Sequence, residues 1–141
     1  PTVEGQARAM RAALRDAGLA PEAIGYVNAH GTATLQNDAV ETAALKDVLG
    51  PQARETPVSS TKAMHGHLLG AAGALEFLIA VRSLRTGAIP PTMHLDVQDP
   101  DCDLDYVPGE ARRGLELRAA MSNSFAFGGT NAVLIAVRAD A

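Results

Sequence analysis

Three short polar clusters in this chain hold side chains able to move a proton, donate a hydrogen bond or carry charge. His30-Gly31-Thr32-Ala33-Thr34 offers an imidazole and two hydroxyls. Ser60-Thr61-Lys62, with His65 and His67 just beyond, offers a cation and two more imidazoles. Asn123-Ser124-Phe125-Ala126-Phe127-Gly128-Gly129-Thr130-Asn131 sets amides and hydroxyls around a glycine pair. Imidazole changes charge near neutral pH, so several histidines suit acid–base work, hydrogen-bond donation or metal ligation. Taken singly, each cluster also has an ordinary explanation: a turn histidine, a solvated lysine, a glycine hairpin. His65-Gly66-His67 further reads as a metal pair, with His30 and Asp38 as additional ligands, which would make the protein a metal-dependent hydrolase. Against that, Lys62 would repel a cation and no further ligand motif is near.

The elements around these clusters bring them to one edge. Val3, Ala7, Met10, Leu14 and Ala17 recur at spacings of three and four, which predicts an amphipathic helix ending at Gly18. After a turn at Pro21-Glu22-Ala23, Ile24 to Ala29 reads as a strand. Asn37 or Asp38 caps a second helix over Ala39 to Leu49, closed by Gly50-Pro51. Pro57 to Ser60 is a short strand. A third helix is expected from about Gly66 to Leu84, with an apolar face of Leu68, Leu69, Ala72, Leu75, Ile79 and Ala80 so broad that the helix should be buried. Gly66, Gly70 and Gly73 on it should admit close backbone approach. Gly87 to Asp105 reads as loop, and Arg118 to Phe125 and Thr130 to Arg138 as strands around Gly128-Gly129. Alternating helices and strands predict an α/β domain with a mostly parallel sheet and a final antiparallel pair. In such sheets, sites gather beyond the carboxyl ends of the strands, where all three clusters fall.

Composition narrows the classes. The 141 residues include 27 alanines and 13 glycines, so the core is built from small side chains and its elements pack closely. A net charge of −4 argues against a nucleic-acid partner. The longest nearly apolar stretch, Leu68 to Val81, carries Glu76 and is too short to span a bilayer. One cysteine, Cys102, excludes a disulfide framework and makes a reducing compartment, the cytoplasm, the default. Nothing at the start reads as a signal peptide. Pro1 stands where Met is usual, so the chain is expected to be processed or part of something longer.

The motifs resemble those of one family. Val27-Asn28-Ala29-His30-Gly31-Thr32-Ala33-Thr34 followed by Asn37-Asp38 looks like the first histidine motif of the β-ketoacyl-acyl-carrier-protein synthases. Ser59-Ser60-Thr61-Lys62 with Gly66-His67-Leu68-Leu69-Gly70-Ala71-Ala72-Gly73-Ala74-Leu75-Glu76 looks like their lysine and second histidine motif. Asn123 to Asn131 resembles their glycine-rich gating loop, and Pro90-Pro91-Thr92 and Cys102 to Pro108 fit as well. The likeness runs along nearly the whole chain and is strongest to the elongating, type-II-like branch. It implies a thiolase-like α/β fold, a mixed β-sheet layered with helices. Residues 1–141 would form the C-terminal domain, without its first strand and without the half that carries the nucleophilic cysteine; Cys102 is not that residue.

The activity implied is decarboxylative Claisen condensation of malonyl-carrier protein with an acyl-enzyme thioester, in fatty acid or polyketide synthesis. By resemblance, His30 and His67 hold the enolate charge as neutral imidazoles. His67 would sit in apolar surroundings at the positive end of the third helix. Lys62 is the site lysine and Glu76 its buried partner. Thr32 and Thr34 bind the phosphopantetheine arm. The Phe127 N–H is an oxyanion donor, Phe125 and Phe127 gate acyl entry on the Gly128-Gly129 hinge, and Asn131 gives support. Ala126, where the family often has Gly, should stiffen that hinge. No metal or cofactor is implied for the chain itself, since the substrates ride on acyl carrier protein. Expected partners are that carrier, the N-terminal half of the enzyme, and a second subunit in a homodimer or a related heterodimer. A different reading is a non-catalytic, chain-length-factor-like subunit; both histidines and Lys62 argue against it.

Overall fold

Alternation along the strands sets the layers. In the computed structural model, which describes residues 1–139, four strands form one sheet in the order β2-β1-β3-β4. These are β1 (Ile24–Asn28), β2 (Val58–Ser59), β3 (Ala119–Phe125) and β4 (Asn131–Val137). β1 runs parallel to both neighbours, with Val27 opposite Val58 and Met121, and Asn28 opposite Ser59 and Ser122. β3 and β4 are antiparallel from Ala119↔Val137 to Phe125↔Asn131. The expected parallel sheet with a closing antiparallel pair is therefore present.

The helices cover the two faces. α1 (Val3–Ala17) and α2 (Asp38–Leu49) pack on one side, where Met10, Leu14, Leu45 and Val48 meet Ile24, Val27, Ala119 and Met121. A register shift between Ile24 and Tyr26 lets Ile24 and Val27 share that face. α4 (Ala72–Thr86) lies on the other, where Ala80 and Leu84 meet Tyr26 and Ala120. The period of two is plain in β3: Ala119 and Met121 face α1 and α2, and Ala120 faces α4. α1 forms as its pattern predicts. Thr2 caps it by accepting from the Gly5 N–H at 3.2 Å, and Gly18 ends it in the left-handed region at φ 63°.

The third predicted helix is where sequence and structure part. Instead of one helix over Gly66 to Leu84 there is a single turn, α3 (Lys62–His65), then an irregular stretch, then α4 from Ala72. Gly66 at φ 76° and Leu69 at φ 51° break the helical run. α4 is buried along one stripe (Ala72, Glu76, Ala80, Ser83, Leu84), while Leu68, Leu69 and Leu78 are exposed. An added Cβ would meet nothing at Gly66 or Gly70; at Gly73 alone it comes close, 3.2 Å from Ser124 Oγ. The Gly87 to Asp105 segment carries two isolated bridges, Ile89↔Arg112 and Thr92↔Pro108. Among the described residues no helix is long and apolar enough to cross a membrane.

Candidate active site

The His30 loop leaves the carboxyl end of β1 and is held from beneath by α2. Glu41, 2 % exposed, takes four hydrogen bonds on its carboxylate. Oε1 accepts from the His30 N–H at 2.9 Å and Asn123 Nδ2 at 3.1 Å. Oε2 accepts from the Gly31 N–H at 3.0 Å and Asn37 Nδ2 at 3.1 Å. Burial pushes the Glu41 carboxyl up, and these donors pull it back toward the ionised form. Glycine is required at position 31. Its φ is 40°, and a Cβ there would lie 2.5 Å from Ser60 Cβ. Downstream, Asp38 Oδ2 accepts from the Ala33 N–H at 3.1 Å, and Thr34 Oγ1 accepts from the Asn37 N–H at 3.2 Å. Thr32 and Thr34 share a hydroxyl contact of 3.2 Å.

Glu41 was not among the residues the motifs single out. A signal was present: Glu41, Ala44, Leu45 and Val48 fall on one helical stripe, and a carboxylate on the buried stripe needs donors.

The second cluster begins at Lys62, the first residue of α3. It is buried and paired with Glu76, itself fully buried on α4, as the sequence predicts. His67 departs from expectation. It is exposed, in the irregular stretch before α4 rather than at a helix start among apolar groups. Its ring is nonetheless oriented: Nδ1 accepts from the Leu69 N–H at 3.1 Å, so in the neutral ring the proton is on Nε2.

The two rings meet. His30 and His67 lie 5.5 Å apart between centroids, edge to face at 83°, and the Phe125 ring lies 6.0 Å from that of His30. Burial first, then the Lys62 charge and His67, lower the His30 pKa to about 4. His30 is thus a neutral imidazole at physiological pH. A cavity of about 400 Å³ opens beside Thr32, Lys62 and His67 and continues past Thr92 to Tyr106.

The glycine-rich turn stands apart. Phe125 is buried in β3, whereas Phe127 is fully exposed. Gly128 and Gly129 have φ 75° and 78°, which favours glycine. Ala126 sits at φ −129°, extended backbone open to any residue, so the stiffening expected from its Cβ does not arise. Asn131 opens β4 opposite Phe125. Cys102 is half-buried; burial and the nearby Asp38, Asp99 and Asp101 push its thiol up, the opposite of what activates a nucleophile. Among the described residues no group of three His, Cys, Asp or Glu side chains could hold a metal ion.

Two histidines and a buried lysine–glutamate pair thus stand at one edge of an α/β sheet. The model of the β-ketoacyl synthase C-terminal domain matches residues 1–96, and the chain belongs to that family. It is 51 % identical over 138 residues to 3-oxoacyl-[acyl-carrier-protein] synthase 2 of Coxiella burnetii, covering 98 % of this chain and 33 % of that protein. It is 52 % identical over 134 residues to nodulation protein E of Rhizobium meliloti, covering 95 % and 33 %. A β-ketoacyl synthase from Burkholderia phymatum superposes with a TM-score of 0.91 at 46 % identity, over 98 % of this chain and 33 % of that one. The ishigamide ketosynthase/chain length factor gives 0.91 at 44 % identity, over 96 % and 33 %. The chain spans about a third of the length of the curated relatives it matches.

Proposed function

We propose that this chain supplies the decarboxylating part of a 3-oxoacyl-[acyl-carrier-protein] synthase. The observation that carries the reading is the facing pair, His30 and His67, 5.5 Å apart. In the reaction, the bond between the malonyl carbon and its carboxylate breaks, carbon dioxide leaves, and the electron pair passes into the thioester as an enolate. Two neutral N–H donors aimed at the enolate oxygen hold that charge. The low His30 pKa supports a neutral donor, and the Leu69 contact supports a proton on His67 Nε2. Lys62, pinned by Glu76, is a fixed positive charge that adds to burial in keeping His30 neutral, rather than a nucleophile. The enolate carbon then bonds to the acyl carbon on a cysteine outside this chain, and the tetrahedral oxyanion collapses to release the thiolate. The Phe127 N–H is the donor assigned to that oxyanion, with Gly128 and Gly129 as hinge. Thr32, which lines the cavity, and Thr34, in hydroxyl contact with it, are assigned to the phosphopantetheine arm, and Asn131 to support of the turn.

The partners proposed are acyl carrier protein, the N-terminal half of the synthase, and a second subunit, in the cytoplasm. One solved relative is a type II polyketide acyl-carrier protein in complex with its ketosynthase. In the full-length protein, His67→Ala should lower decarboxylation of malonyl-carrier protein by about 100- to 1,000-fold, the cost of one oxyanion donor, while acyl loading survives. Loss of acyl loading with decarboxylation intact contradicts the reading.

A further inference from the structure

His65 belongs to neither ring of the proposed pair, yet both of its nitrogens are engaged. Nδ1 lies 2.7 Å from the Gly66 carbonyl oxygen, which can only accept, so Nδ1 carries a proton. In the neutral ring Nε2 is then an acceptor, and it lies 3.1 Å from Thr61 Oγ1, whose hydroxyl donates to it. Thr61 Oγ1 in turn accepts from Asn28 Nδ2 at 3.3 Å. Thr61 and Asn28 are both fully buried. The donor directions therefore run one way, from Asn28 through Thr61 and His65 to the Gly66 carbonyl.

The two ends of this chain matter. Asn28 ends β1, two residues before His30; Gly66 is the residue before His67. We infer that His65 is a positioning residue, tying the backbone that carries His67 to the buried strand end that carries His30. A bond from His65 to its own neighbour would be local turn geometry. The link to Asn28, 33 residues from Thr61, joins separate elements. Gly66 needs such a brace. At φ 76° and ψ 177°, with no atom within 4 Å of where a Cβ would stand, side-chain packing does not hold it. Two hydrogen bonds do: its N–H to the Lys62 carbonyl at 2.8 Å, and its carbonyl to His65.

The kinetic consequence rests on the function proposed above; the geometric one does not. Nitrogen-15 spectra of the histidine-labelled full-length protein should show His65 protonated on Nδ1 and His67 on Nε2, opposite tautomers, with a His65→Gln variant assigning the signals. A proton on His65 Nε2 overturns the inference. In the same protein, His65→Leu should lower malonyl decarboxylation about tenfold, with acyl loading and carrier KM unchanged, because misplacing a reacting group is costly. His65→Asn, whose amide nitrogen falls where Nδ1 was but which has no atom in place of Nε2, keeps the local bond and loses the link to Thr61, so it should leave the rate as low as His65→Leu; a restored rate would show that the local bond suffices and overturn the inference. An unchanged rate in His65→Leu beside an inactive His67→Ala sinks this inference and leaves the proposed function standing. An active His67→Ala sinks the function itself, and the tautomers still judge the brace.

Discussion

The loop that carries His30 is strapped to a helix by a buried carboxylate, whereas the segment that carries His67 lies exposed and is oriented by an N–H two residues away. Glu41 gathers two backbone amides and two side-chain amides from three parts of the chain. His67 has the Leu69 N–H. Both rings are aimed, but by different means: one by hydrogen bonds to a buried carboxylate, the other by the Leu69 N–H on a backbone where Gly66 and Leu69 have positive φ. Preorganisation of a donor pair does not require both donors to be equally buried; it requires that each ring have one orientation.

The comparison is sharpest in stability. Glu41→Ala strands several buried donors at once and should cost the full-length protein about 3 kcal/mol or more, read as a shift of its denaturation midpoint. A loss under about 1 kcal/mol would mean the strap is ornamental.

A second difference is electrostatic. The folded His30 pKa of about 4 lies below the ordinary value of 6.5. Between those pH values the unfolded ring binds a proton that the folded ring does not. His30 therefore makes stability fall as pH drops through that window and contributes no pH dependence above it. Proton NMR should put the His30 midpoint near 4. A midpoint near 6.5 would remove burial and Lys62 as the groups that keep this donor neutral. The smallest effect is expected at the other ring. His67→Ala removes one contact to a neighbouring N–H and should cost less than Glu41→Ala, no more than about 1 kcal/mol, while it lowers malonyl decarboxylation. A large stability loss there would erase the distinction.

What the sequence disclosed follows the same division. α1 is legible because Val3, Ala7, Met10 and Leu14 repeat on one stripe and Thr2 and Gly18 mark its ends. The sheet is legible because Tyr26 and Val27, and Ala119, Ala120 and Met121, alternate between two apolar layers. The three site clusters were found because His, Lys and Gly-Gly are rare enough to stand out at strand ends. The sequence predicts one helix over Gly66 to Leu84 because Leu68, Leu69 and Ala71-Ala72 continue the apolar pattern of α4. Nothing in a leucine announces the φ of 51° that Leu69 adopts. Glu41 stayed hidden because a glutamate in a helix reads as surface unless the stripe it shares with Leu45 and Val48 is noticed. His65 looked like half of a metal pair because its partners, Thr61 and the Gly66 carbonyl, are set by turn geometry and not by spacing.

The central claim is that the two neutral rings of His30 and His67 share one oxygen. A structure of the full-length protein bound to a non-decarboxylating malonyl thioester analogue tests it most directly. The account predicts the thioester carbonyl oxygen within about 3 Å of a ring nitrogen of both histidines. A carbonyl oxygen held by only one of them, or turned toward Lys62 instead, would contradict it.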